Sequence, residues 1–187
     1  MNVIRVFLLF LVLLFSLGRM AHASELTAPT DASITSDTGH RLQQLAEKTQ
    51  GAIASTSASV AVLIDTGLGF LGISYRRGGN GPESGGFDCS GLVKKVFGVS
   101  IGLDLPRTSA EIAKVGDKVS KDELVAGDLV FFNTMNRAFS HVGIYLGNNR
   151  FLHSPSAGGA VRVENMDITY WRKRFNGGRR LFDAATN

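Results

Sequence analysis

An α+β domain, with helices first and an antiparallel sheet after them, is the fold class predicted by this 187-residue sequence. Three observations predict it. Apolar residues recur at helical spacing up to Phe97, a capping box stands at Thr108–Glu111, and from Asp128 the chain breaks into short β-rich runs separated by Gly, Asn or Pro.

The first element is a leader. Met1 to Arg5 carry positive charge, Val6 to Leu17 are apolar apart from Ser16, and Ala21-His22-Ala23 has the small-x-small pattern of a cleavage site. The run is about a dozen residues, short of the roughly 20 that a helix needs to cross a bilayer. No cysteine stands at the cleavage site to take a lipid. Residues 1–23 are therefore expected to be a signal peptide, with export to the periplasm or beyond, a mature chain beginning at Ser24 and no transmembrane segment after cleavage.

From Ser24 to Ala58 the chain is rich in Ser, Thr, Ala and Asp and reads as a flexible polar tether, with one short helix around Arg41 to Lys48. The folded domain is expected over residues 59–187. In it, Val60 to Leu71 has helical apolar spacing interrupted by Gly67 and Gly69. After a turn at Gly85-Gly86, Leu92, Val93, Val96 and Phe97 place a second helix over Cys89 to Phe97. A third starts at Thr108, where Thr108-Ser109-Ala110-Glu111 is the capping box. Strands are expected at Asp128–Asn133, His141–Gly147, Phe151–Ser154, Ala160–Glu164 and Arg180–Asp183. Alternation puts His141, Gly143 and Tyr145 on one face, with Val142, Ile144 and Leu146 buried on the other. The turn Gly147-Asn148-Asn149-Arg150 makes a hairpin of the two runs that carry His141 and His153.

The formal charge is +4, and without Arg5 and Arg19 it is 18 basic against 16 acidic residues, +2. That balance does not argue for nucleic acid. Arg172, Lys173, Arg174, Arg179 and Arg180 cluster near the end, suited to an anionic wall or membrane surface or to an ordinary solvated face.

Cys89 is the only cysteine, so an exported chain cannot form an internal disulfide, and a retained thiol points to chemistry or dimerisation. A core cysteine would more naturally have apolar neighbours than Asp88 and Ser90. At the start of a helix the positive end of the dipole favours thiolate. His141 and His153 are the domain's only histidines, which makes one the base for the thiol and the other the polar group that holds its tautomer. Zinc is the rival explanation, but the spacings form no local ligand pair and a fourth ligand is lacking. No metal and no cofactor are expected.

The stretches Leu71–Gly79, FDCSGLV at 87–93, LPRTSAE at 105–111, GDLVFF at 127–132, SHVGIYLG at 140–147, FLHSP at 151–155, Tyr170-Trp171 and Gly177–Arg180 resemble, in order and spacing, the NlpC-type peptidoglycan cysteine endopeptidases. The resemblance implies a papain-like core, with Cys89 as nucleophile, His141 as general base and His153 orienting it. It also implies that Tyr75 helps bind the oxyanion with the Cys89 amide, and that Asp88 and Ser90 contact the stem peptide, helix capping being the alternative for Asp88. Family members cleave amide bonds in peptidoglycan stem peptides, commonly D-γ-glutamyl–diamino acid bonds, and some cleave cross-links. Ser74 stands where a proline is often found and Arg77 where a tryptophan is, and with Arg76 this suggests a clamp for a stem-peptide carboxylate. The partner implied is peptidoglycan, with a wall-targeting adaptor and a monomeric enzyme as accompanying expectations. A papain-like acyltransferase or amidase acting on lipid or a small amide, and a non-catalytic wall-binding protein, are the competing readings.

Overall fold

The computed structural model describes residues 32–157 and 159–182, so the leader and its cleavage before Ser24 lie outside the described residues. The main departure from expectation is α1, a helix of 37 residues over Ala32–Leu68. Residues 24–31 lie outside the described residues; over residues 32–58 α1 stands where a tether with a single short helix was expected, and its end takes in the helix expected from Val60. No proline interrupts the segment, and its polar residues are satisfied within the helix: Thr49 donates to the Leu45 carbonyl at 2.8 Å, Ser55 to Ala52 at 2.8 Å and Ser59 to Ser55 at 3.1 Å. Hydroxyls that read as loop chemistry thus bond back onto their own helix.

The helix is exposed over Leu42 to Gly51 and docks only towards its end, where Leu63 is fully buried and Ile64 and Leu68 pack on the core. Among the described residues one helix, over Asp37–Leu68, is long and apolar enough to cross a membrane by length and composition, a criterion that core helices also meet. The burial of Leu63 assigns its last turns to the domain.

A small antiparallel hairpin follows, β1 (Asn80–Gly81) with β2 (Gly86–Phe87), closed by a 3₁₀ turn over Pro82–Ser84. Strands this short carry no periodicity, and the sequence reading did not include them. Next come α2 (Cys89–Ile101), ended by Gly102 in the left-handed region, and α3 (Ser109–Ile112). Thr108 caps α3 in a complete capping box, its amide accepted by Glu111 at 3.1 Å.

The second half is a six-stranded antiparallel sheet built from β3 (Asp117–Val119), β4 (Leu129–Phe132), β5 (His141–Gly147), β6 (Arg150–His153), β7 (Arg162–Asn165) and β8 (Phe175–Arg180), with α4 (Thr169–Arg172) before the last strand. Their order is β3-β8-β4-β5-β6-β7. β3 was not expected, and the last strand lies at 175–180 rather than 180–183. Its sequence, FNGGRR, has little β signal; pairing on both sides with β3 and β4 fixes it.

Both faces of the sheet are covered. Leu129, Phe131, Val142, Ile144 and Leu152 pack with Leu63 of α1 and with Leu92, Val93, Val96 and Phe97 of α2. Val130, Phe132, Tyr145 and Phe151 form the opposite face with Met166 and Trp171. Trp171 thus caps the face that carries His141 and Tyr145, whereas a half-buried sheet would leave it wet.

The basic cluster near the end is not one solvated face. Arg179 is buried and donates from Nε to the Ala113 carbonyl at 2.6 Å. Arg180 grips the buried carboxylate of Asp128 bidentately, at 2.9 and 2.8 Å, and bonds the Glu123 carbonyl at 2.9 Å. Arg174 lies over the Tyr170 ring at 4.0 Å. Because Asp128 is 2% exposed, Arg180→Ala leaves a buried carboxylate without its counter-charge. The expected cost is about 3 kcal/mol, a fall in Tm of about 10 °C by thermal unfolding. An unchanged Tm would show that the pair contributes nothing.

Candidate active site

Cys89 is the first residue of α2, and backbone contacts around it fix its position. Phe87 donates to the Ser74 carbonyl at 3.0 Å, Arg76 to the Phe87 carbonyl at 2.9 Å, and Tyr75 pairs with Phe87 in a parallel bridge. The Leu71–Gly79 segment therefore runs beside the two residues that precede the thiol. At Gly91 a Cβ would lie 2.1 Å from the Gly79 carbonyl oxygen, so only glycine lets the first turn of α2 sit on that segment.

Asp88 is the N-cap. Its Oδ1 accepts from the Gly91 amide at 2.7 Å and its Oδ2 from the Gly78 amide at 3.0 Å, and Arg107 grips both oxygens at 3.0 and 2.6 Å. Ser90 is buried, donates to Asp88 at 3.2 Å and accepts from Arg107 at 3.0 Å. Burial works to raise the Asp88 pKa, but the bonds from Arg107 and from the Gly91 and Gly78 amides outweigh it and hold the carboxyl below its usual range. Capping is thus what Asp88 does in the fold.

The helix N-terminus favours thiolate at Cys89, and burial opposes it. Burial raises its pKa, the charge of Asp88 adds to that, and the opposing N–H groups of Val142, Ser90 and Cys89 itself do not cancel the rise. Cys89 also packs against the core cluster that includes Val142, the residue after His141. Tyr75 is close enough that burial, then the Cys89 and Asp88 charges, raise its hydroxyl pKa, with Arg77 and Arg107 opposing. Arg77 itself is exposed.

The histidines lie on the β5–β6 hairpin, whose tip at Asn148 and Asn149 takes the left-handed conformation that a tight turn requires. His141 Nε2 and His153 Nδ1 are 2.9 Å apart. The sequence makes room for this contact at Gly143, where a Cβ would lie 2.7 Å from the Leu152 carbonyl and the Phe151 ring and 3.2 Å from the His153 Cβ. His141 stacks on Trp171, with centroids 5.4 Å apart and planes at 22°. Burial lowers the pKa of both imidazoles to about 3; His153 adds to the shift at His141 and Arg162 to that at His153. The two arms are tied where the buried Ser154 donates to the Phe87 carbonyl at 2.9 Å, two residues before the thiol.

Beside His141 opens a cavity of about 300 Å³, lined among others by Thr134, Pro155, Arg162, Ile168, Tyr170 and Trp171. Among the described residues no three His, Cys, Asp or Glu side chains converge as metal ligands. The sequence reading missed three polar participants. Arg107 was legible only as a cation before a capping box, Glu164 only as a charge in the run Ala160–Glu164, and the part of Trp171 depended on which face it caps.

The NlpC/P60 family model matches residues 72–180. The chain is 38% identical over 123 residues to the murein DD-endopeptidase MepS/murein LD-carboxypeptidase of Escherichia coli, covering 66% of this chain and 63% of that one. It is 39% identical over 122 residues to the gamma-D-glutamyl-L-lysine dipeptidyl-peptidase of Bacillus subtilis, covering 64% and 40%. A crystal structure of a lipoprotein-like NLP/P60 family protein from Staphylococcus aureus superposes with a TM-score of 0.60 at 34% identity, covering 67% and 42%. The chain thus spans less than two thirds of the length of each of these proteins.

Proposed function

The chain belongs to the NlpC/P60 family, and on that premise we propose that it is a cell-wall hydrolase, a cysteine endopeptidase cleaving amide bonds in peptidoglycan stem peptides. The observation that carries the reading is the 2.9 Å contact of His141 Nε2 with His153 Nδ1. With Nε2 engaged, His141 has Nδ1 left for the thiol beside the next peptide. His141 takes the Cys89 proton and the thiolate attacks the amide carbonyl. The Cys89 amide and the Tyr75 hydroxyl stabilise the tetrahedral oxyanion. His141 then protonates the leaving amine and water hydrolyses the thioester. The lowered pKa of His141 and the raised one of Cys89 favour a pair that rests neutral, so that the proton moves as attack occurs.

The leaving amine lies on the side of the group that protonates it, and the cavity beside His141 accommodates the residue that departs. The acyl side runs past Tyr75, where Arg77 meets a stem-peptide carboxylate. The two relatives above, one named a murein DD-endopeptidase and LD-carboxypeptidase and the other a gamma-D-glutamyl-L-lysine dipeptidyl-peptidase, match at nearly equal identity, so similarity does not choose between a γ-D-glutamyl bond and a cross-link.

Mass spectrometry of fragments released from purified sacculi tests the reaction. Wild type is expected to release stem-peptide fragments, Cys89→Ala and His141→Ala to lose about a thousandfold or more, and His153→Ala to lose less. Full turnover by Cys89→Ala overturns the cysteine mechanism, and unchanged sacculi with wild type overturn the substrate. On a purified tetrapeptide stem, Arg77→Ala is expected to raise KM more than it lowers kcat, because a peripheral clamp holds ground and transition states alike. Equal kinetics on the stem and its carboxamide analogue, for wild type and variant alike, would remove the clamp.

Residues 1–23 act as an export signal in this reading. N-terminal sequencing of exported protein is expected to begin at Ser24, and a product retaining Val6 to Leu17 would mean an uncleaved anchor.

A further inference from the structure

We propose that Glu164 is a positioning residue for the Cys89-His141 pair: its carboxylate accepts the Nε2–H of His153 and so selects the tautomers that leave His141 Nδ1 a base. The inference rests on the role proposed above for that pair.

Two proton arrangements satisfy the 2.9 Å contact between the imidazoles. In one, His153 donates from Nδ1, which puts the His141 proton on Nδ1 and leaves nothing to accept from the thiol. In the other, His141 donates from Nε2 and keeps Nδ1 as an acceptor, and His153 must then carry its own proton on Nε2. That atom is buried and has no hydrogen-bond partner. The nearby acceptor is Glu164 Oε2 at 3.4 Å, an ion-pair separation just beyond the usual N–H···O range. A buried N–H with no acceptor costs more than the net worth of a typical hydrogen bond, so the carboxylate stabilises the arrangement in which Nε2 is protonated.

The rest of the site holds Glu164 in place for this. Arg162 donates from Nε to Oε1 at 2.6 Å, and Trp171 donates from Nε1 to Oε2 while its ring stacks on His141. Glu164 and Trp171 thus fix both the far nitrogen of His153 and the plane of His141. The Glu164 charge also acts on His141 in the direction that stabilises imidazolium, against burial.

Two readouts separate positioning from a merely structural tie between β7 and α4. Long-range ¹H–¹⁵N NMR of the histidine rings in the full chain is expected to show His153 protonated at Nε2 in wild type. Alkylation of Cys89 by iodoacetamide at pH 7 is expected to fall about tenfold in Glu164→Leu, the size of a lost hydrogen bond to a charged group, and to recover most of its rate in Glu164→Gln, whose amide oxygen still accepts. A wild-type spectrum with His153 protonated at Nδ1, or a folded Glu164→Leu that alkylates at the wild-type rate, overturns the proposal. If Glu164→Leu does not fold, the wild-type spectrum decides alone. His141→Ala serves as reference: wild-type alkylation in that variant would overturn the base role of His141 rather than the part of Glu164.

Discussion

The contact between His141 and His153 is the constraint around which the second half of the domain is arranged. Two imidazoles can lie 2.9 Å apart in a core only if one donates and the other accepts, so both cannot carry charge at once, and burial lowers both pKa values. Its requirements are met one by one. Gly143 removes the Cβ that would strike Phe151 and Leu152, the Asn148-Asn149 turn sets the register, and Trp171 covers the face that would otherwise hydrate. A polar contact inside an aromatic cluster thereby becomes a fixed orientation of one ring.

The thiol arm solves a different problem. A cysteine at a helix start must be held without side chains crowding it, and here backbone does the holding: Phe87 to Ser74, Arg76 to Phe87, and the glycine at 91 against the Gly79 carbonyl. The polar neighbours are consumed in capping. Asp88 and Arg107 neutralise each other over the first turn of α2, so the charge that raises the Cys89 pKa is already partly answered. Ser154, bonded to the Phe87 carbonyl, ties this arm to the strand that carries His153.

These two arms are chemically unlike, and the difference suits the proposed reaction. The nucleophile sits at a helix terminus among N–H groups that favour negative charge as it develops. The base sits in a dry aromatic setting that resists positive charge until the proton arrives. Neither group is strongly activated alone, and the pair becomes reactive through geometry.

The sequence by itself determined the class of fold, the helix that begins at Cys89, the capping box at Thr108 and the hairpin that joins His141 to His153. Each of these is written in local periodicity or turn chemistry, which act over a few residues. The same signals place Cys89, His141 and His153 in a series whose order marks the family. Tertiary structure decided the rest. The earlier part of helix α1 was hidden because Ser and Thr hydroxyls can satisfy either a loop or their own helix, whereas its end, from Val60, was legible in apolar spacing and docks at Leu63. Strand β8 was misplaced because its pairing partners, not its residues, make it a strand. Arg179 and Arg180 read as surface charge until Ala113 and Asp128 appear beside them, and Glu164 and Arg107 read as ordinary charges until the fold brings His153 and Asp88 to them. Side-chain pairs this far apart in the chain leave no periodic trace, so the groups that surround the reactive residues emerge only when the sheet closes.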